Sequence, residues 1–110
     1  MRFILIFVFI FNIFFNLNMH LTLAEPDLAA GEDIFNSKCA ACHAGGQNAV
    51  APEKTLEIDV LTTNEMNSVE AIIKQVTNGK NAMPSFSAQL ESDDIENVAN
   101  YVLNQSKKGW

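Results

Sequence analysis

Past residue 24, this 110-residue chain has no arginine, a single histidine and only two cysteines. Each scarcity narrows what the chain can do. Six lysines against thirteen carboxylates leave that stretch with a formal charge of −7, which excludes nucleic acid and anionic lipid as partners and favours basic surfaces. A structural zinc site would need a second ligand pair, and a thioredoxin-like redox pair would need a βαβ context. The chain offers neither. Large apolar side chains are also few: Phe35, Phe86, Tyr101 and Trp110 are the only aromatics after the first two dozen residues. A core this lean is marginal for one small domain, so further buried apolar mass is expected from elsewhere. Strand-like alternation, repeats and low-complexity segments are missing as well.

The one long apolar run sits at the start. Met1-Arg2 precedes an unbroken stretch from Phe3 to Phe11, and a more polar region then ends in Leu21-Thr22-Leu23-Ala24. A positive start, a short apolar centre and small residues before the cut predict a signal peptide over 1–24, cleaved after Ala24. The competing reading is an uncleaved anchor. Asn12, Asn16, Asn18 and His20 make a poor spanning helix and count against it. The remaining residues, 25–110, form one domain with no expected membrane insertion.

Against this sparse background, Cys39-Ala40-Ala41-Cys42-His43 stands out. C-x-x-C-H is the sequence sign of covalent haem attachment. Two thiols separated by two residues add across the two vinyl groups of one haem, and the following histidine is held under the iron. One haem c, bound through Cys39 and Cys42 with His43 as an iron ligand, is therefore expected.

The rest reads as helices and loops, an all-α domain of about four helices around the haem. Asp27 is a good N-cap for a helix to about Lys38, with Leu28, Gly31, Ile34 and Phe35 on one face. The loop 44–52 is rich in turn formers, and a short helix is expected over 55–61. Asn67 with Glu70 resembles a capping box for a helix carrying Val69, Ile72, Ile73 and Val76 and ending at Gly79. Ser92 is the expected N-cap of the last helix, with Asp93 and Asp94 in its first turn and Ile95, Val98, Ala99 and Val102 as its stripe to about Gln105.

The second axial position decides what the haem does. With no second histidine past residue 24, the remaining donors are Met66 and Met83. Met83 lies in Asn81-Ala82-Met83-Pro84, where the proline keeps it out of helical angles and in an extended loop. Met66 precedes a helix cap and is expected to pack as an apolar side chain. A soft thioether raises the reduction potential and fills the position where oxygen or peroxide would bind. The expectation is one-electron transfer with no bond made or broken, and so no enzyme.

Ala30–Phe35, Cys39–Gly46, Pro52–Leu56, Gln75–Pro84 and Val98–Val102 together resemble the cytochrome c6 family, a branch of the class I c-type cytochromes. The resemblance covers nearly all of residues 25–110. It implies a soluble carrier of the thylakoid lumen that takes an electron from cytochrome f of the cytochrome b6f complex and gives it to photosystem I. It also implies that the Pro52 carbonyl accepts the hydrogen bond of His43, and that Gln75 lies beside the haem on the methionine side and influences its potential. Gly31, Phe35 and Tyr101 match the crossing of the first and last helices, a packing role. One departure is Gln89, where many relatives carry an arginine tied to docking on photosystem I. Lys80 is the nearest cationic group to the methionine loop.

The leader lacks the Arg- and Ser-rich character of a chloroplast transit peptide. This points to a gene read inside a plastid or a cyanobacterium, and its Phe, Ile and Asn content leans toward an algal plastid. A monomer is expected. Three other readings compete: a bacterial periplasmic cytochrome donating to a terminal oxidase, a peroxidase-like or gas-binding haem protein, and an interaction module that pairs its thiols. Met83, and the lack of a distal histidine or arginine past residue 24, count against the peroxidase reading.

Overall fold

Asp27 starts the first helix as expected. Its carboxylate accepts the N–H of Ala30 at 3.0 Å, satisfying a donor that has no partner within the helix. The computed structural model describes residues 25–110, so the expected leader over 1–24 lies outside it. Helix α1 covers Leu28–Ile34 and then widens into a π turn over Phe35–Cys39, where the N–H of Ala40 reaches the carbonyl of Phe35. The extra residue in that turn re-phases the chain just before α2, Ala40–His43. A short 3₁₀ turn over Ala44–Gly46 follows.

Helix α3 spans Ile58–Thr63, a little later than expected. Helix α4 spans Val69–Asn78. Its cap is Ser68 rather than Asn67, the Ser68 hydroxyl accepting the N–H of Ala71 at 3.1 Å. Both residues are able to cap, but the Asn67 amide is turned to the Thr62 hydroxyl, to which it donates at 3.1 Å, and the cap falls to Ser68. Helix α5, Ser92–Lys108, is longer than expected at its far end, and its cap is Glu91. The Asp94 carboxylate accepts the Glu91 N–H at 3.0 Å, closing a capping box that leaves Ser92 as the first helical residue. Lys107 and Lys108 in the last turn face the negative end of the helix dipole.

The core lies along α5, which packs against α1 and its π turn on one side and α4 on the other. Phe35, Ile72, Val76, Phe86, Ile95, Val98, Ala99, Val102 and Leu103 form one buried cluster. Helices α1 and α5 cross in tight contact at Gly31. A Cβ built there would lie 2.8 Å from Cβ of Tyr101 and would also meet the Asn97 carbonyl, so only glycine allows the approach. The crossing is pinned by the Asp27 N–H, which donates to Asn97 Oδ1 at 2.9 Å. Phe35 then packs against Tyr101, ring centroids 5.5 Å apart, and against Trp110 at 5.2 Å. The packing role expected of Gly31, Phe35 and Tyr101 is the one observed. The fold is all-α, with no strand among the described residues.

Candidate functional site

The two thiols differ in surroundings. Cys39 closes the π turn and is half-buried, whereas Cys42 on α2 is exposed, and both are free. Burial pushes the Cys39 thiol up to about 11. His43 ends α2 and is half-buried. Its Nδ1 lies 2.9 Å from the carbonyl oxygen of Gln47. A carbonyl can only accept, so Nδ1 carries the proton and Nε2 keeps its lone pair for a metal.

That contact corrects one expectation: the acceptor is the carbonyl of Gln47, not that of Pro52. Gly45 (φ +64°) and Gly46 (φ +76°) turn the chain back within four residues of the histidine. The nearer carbonyl is thereby delivered to the ring. Pro52 lies further along an exposed loop, in which Asn48 Oδ1 accepts the Ala51 N–H at 2.8 Å.

Met83 is presented by a second loop, tied at several points. Lys80 and Met83 exchange both backbone hydrogen bonds at 2.9 Å, forming an isolated bridge. Gly79 makes that bridge attainable: its φ is +71°, and a Cβ there would lie 2.6 Å from the Met83 carbonyl and 2.7 Å from the Ser85 nitrogen. Beyond the proline, the Phe86 N–H donates to the Val76 carbonyl at 2.9 Å, and the Ser85 hydroxyl bonds the Thr77 carbonyl. These contacts return the loop to α4. The Gln75 amide on α4 then reaches the sulfur, with Nε2 3.5 Å from Met83 Sδ. Met66, as expected, packs against the core.

The donor set fits a haem. An imidazole with its tautomer set, a thioether held by its own donor and two free thiols with two residues between them are the groups that covalent, axially ligated haem needs. Leu56, Ile58, Val69, Ile73 and Leu90 pack half-buried on the core together with Met83. Such an apolar surround suits a flat apolar ring system. Elsewhere among the described residues, no group of three or more His, Cys, Asp or Glu side chains could hold a metal ion. No described helix is long and apolar enough to cross a membrane.

Lys80 and Gln89 are both exposed, Lys80 within the bridge and Gln89 in a turn where its N–H bonds the Phe86 carbonyl at 3.0 Å. Sequence reasoning missed the Gln47 carbonyl and the packing of Trp110 near it. The Gly45-Gly46 pair was the available sign that the chain turns back there.

Comparison with known proteins places these features in company. The family model described as cytochrome c oxidase, cbb3-type, subunit III matches residues 26–102. A curated cytochrome c6 of Gracilaria tenuistipitata var. liui is 58% identical over 110 residues, covering all of both chains. The cytochrome c6 of Cyanidioschyzon merolae is 69% identical over 84 residues, covering 76% of this chain and 80% of that one. Among solved structures, cytochrome c6 from the diatom Phaeodactylum tricornutum superposes with a TM-score of 0.75 at 53% identity, covering 76% of this chain and 99% of the other.

Proposed function

Because the chain belongs to the cytochrome c6 family of soluble electron carriers and binds one covalently attached haem c, we propose that it shuttles single electrons in the thylakoid lumen. It accepts them from cytochrome f of the cytochrome b6f complex and donates them to photosystem I. Cys39 and Cys42 anchor the haem, and His43 and Met83 ligate its iron. The haem supplies a one-electron change at iron between the ferric and ferrous states.

The chain's own residues prepare both axial donors. The Gln47 carbonyl fixes the His43 ring and makes its free nitrogen a better donor. The Gln75 amide holds the Met83 sulfur and draws charge from it, favouring the reduced state. The Lys80–Met83 bridge and the Phe86 contact keep the methionine loop in place, so little reorganisation accompanies each transfer. The Met83 thioether would occupy the position that oxygen chemistry at a haem needs, which supports a carrier over an enzyme.

The observation that carries this reading is the pairing of both donors with their own hydrogen-bond partners, His43 with Gln47 and Met83 with Gln75. Its test is flash-induced oxidation of the haem-loaded protein by photosystem I particles across a salt series. Fast second-order oxidation that slows as salt rises is the expected result, given the charge of −7 over residues 25–110. Oxidation no faster than that of an unrelated cytochrome would instead favour donation to a terminal oxidase.

A further inference from the structure

Trp110 lies beyond α5, far in sequence from the haem motif, yet its ring lies on the turn that leads away from His43. A Cβ added at the buried Gly46 would fall among the indole ring atoms, so the ring sits directly over that α-carbon. The indole N–H donates to the Leu56 carbonyl at 2.8 Å. The Leu56 N–H in turn donates to the Gly46 carbonyl at 2.7 Å. Gly46 immediately precedes Gln47, whose carbonyl accepts the His43 Nδ1 proton at 2.9 Å.

We propose that Trp110 is a positioning residue for the axial histidine, holding the Gly46–Gln47 turn so that the Gln47 carbonyl stays on the imidazole. The inference rests on the carrier reading only in taking His43 as the iron ligand. The Ser106 hydroxyl has one proton to share between the Leu56 carbonyl at 2.6 Å and the Val102 carbonyl at 2.7 Å, so the indole N–H is the side-chain donor committed to Leu56 alone. The ring also has Phe35 at 5.2 Å on the core side, so it is braced between the helix crossing and the haem-motif turn. The braced ring is what the turn rests on.

Without the ring, the turn relaxes, the His43 hydrogen bond weakens and the imidazole becomes a poorer donor to iron. A poorer donor stabilises the ferric state less, so the reduction potential rises.

The test compares the haem-loaded wild type with Trp110→Phe and Trp110→Ala. In the ferrous proteins, solvent exchange of the His43 Nδ1 proton and the Leu56 amide is followed by NMR, and the reduction potential is measured alongside. The expected result is exchange of the Nδ1 proton about tenfold faster in Trp110→Ala, the scale of one lost hydrogen-bond contribution, with an upward shift in potential. Trp110→Phe, which keeps a ring, should show the same changes in smaller measure, and it carries the test if the alanine variant does not load haem. An unchanged Nδ1 proton and potential, with only the Leu56 amide exchanging faster, would make Trp110 a stability anchor and overturn the proposal. None of these readouts depends on photosystem I, so failure of the donor role would leave them standing.

Discussion

Gln75 is the residue through which this chain acts on its own methionine. Its amide lies 3.5 Å from Met83 Sδ, and a donor there favours the electron-rich, reduced state. Gln75→Leu keeps the size and removes the donor, so the potential should fall. A neutral hydrogen bond contributes about 0.5–1.5 kcal/mol, which for one electron corresponds to about 20–65 mV. Potentiometric titration checks it, and a potential unmoved or raised would separate Gln75 from the sulfur. Cys39 gives a second test at this scale. Its thiol rises from 9.0 to about 11 on burial. A raised pKa favours the folded haem-free chain below pH 9 and loses that favour as pH climbs through about 11. Thioether formation removes the proton, so urea titrations of the haem-loaded protein should lack this alkaline decline. The Cys39–His43 motif was legible because C-x-x-C-H is local in sequence. The Gln47 carbonyl was not, since a main-chain acceptor is placed by the path of the turn and not by its side chain.

Elements were legible where periodicity was long. The stripes of α4 and α5 bury the residues the spacing predicted, Ile72 and Val76 on one and Ile95, Val98, Ala99 and Val102 on the other. Helix ends were harder, because Asn67-Ser68 and Glu91-Ser92 each offer neighbouring residues for one cap. Mutation separates the two candidates on α4. Ser68→Ala should cost about 0.5–2 kcal/mol in thermal or urea unfolding, and Asn67→Ala much less. The reverse ranking would restore the Asn67 cap. The π turn left no trace in the sequence pattern, since one inserted residue breaks the period without replacing it. At the α1–α5 crossing, Gly31→Ala would push a methyl into the Asn97 carbonyl and Tyr101. Backbone offers no rotamer to yield, so a loss of about 1–3 kcal/mol is expected. In a domain of this size that lowers Tm by several degrees, enough for calorimetry.

For the whole molecule, charge sets how fast partners meet. Residues 25–110 carry a formal charge of −7 and no arginine, and Gln89 stands exposed. Gln89→Arg takes that charge to −6 and weakens attraction to a basic docking face, so the second-order rate of oxidation by photosystem I should fall at low salt, by about twofold, and its salt slope should flatten. A rate equal to wild type at every ionic strength would place the docking face elsewhere. The hydrogen bond from Asp27 to Asn97 joins residues 70 positions apart, and this has a bearing on the order of events during synthesis. Helix α1 has no partner until α5 has been made, and closing so long a loop is entropically slow. Cys39 and Cys42 emerge well before that closure, so the thiols meet the attachment machinery on an open chain. The window for loading haem on an open chain thus closes when α5 docks on α1.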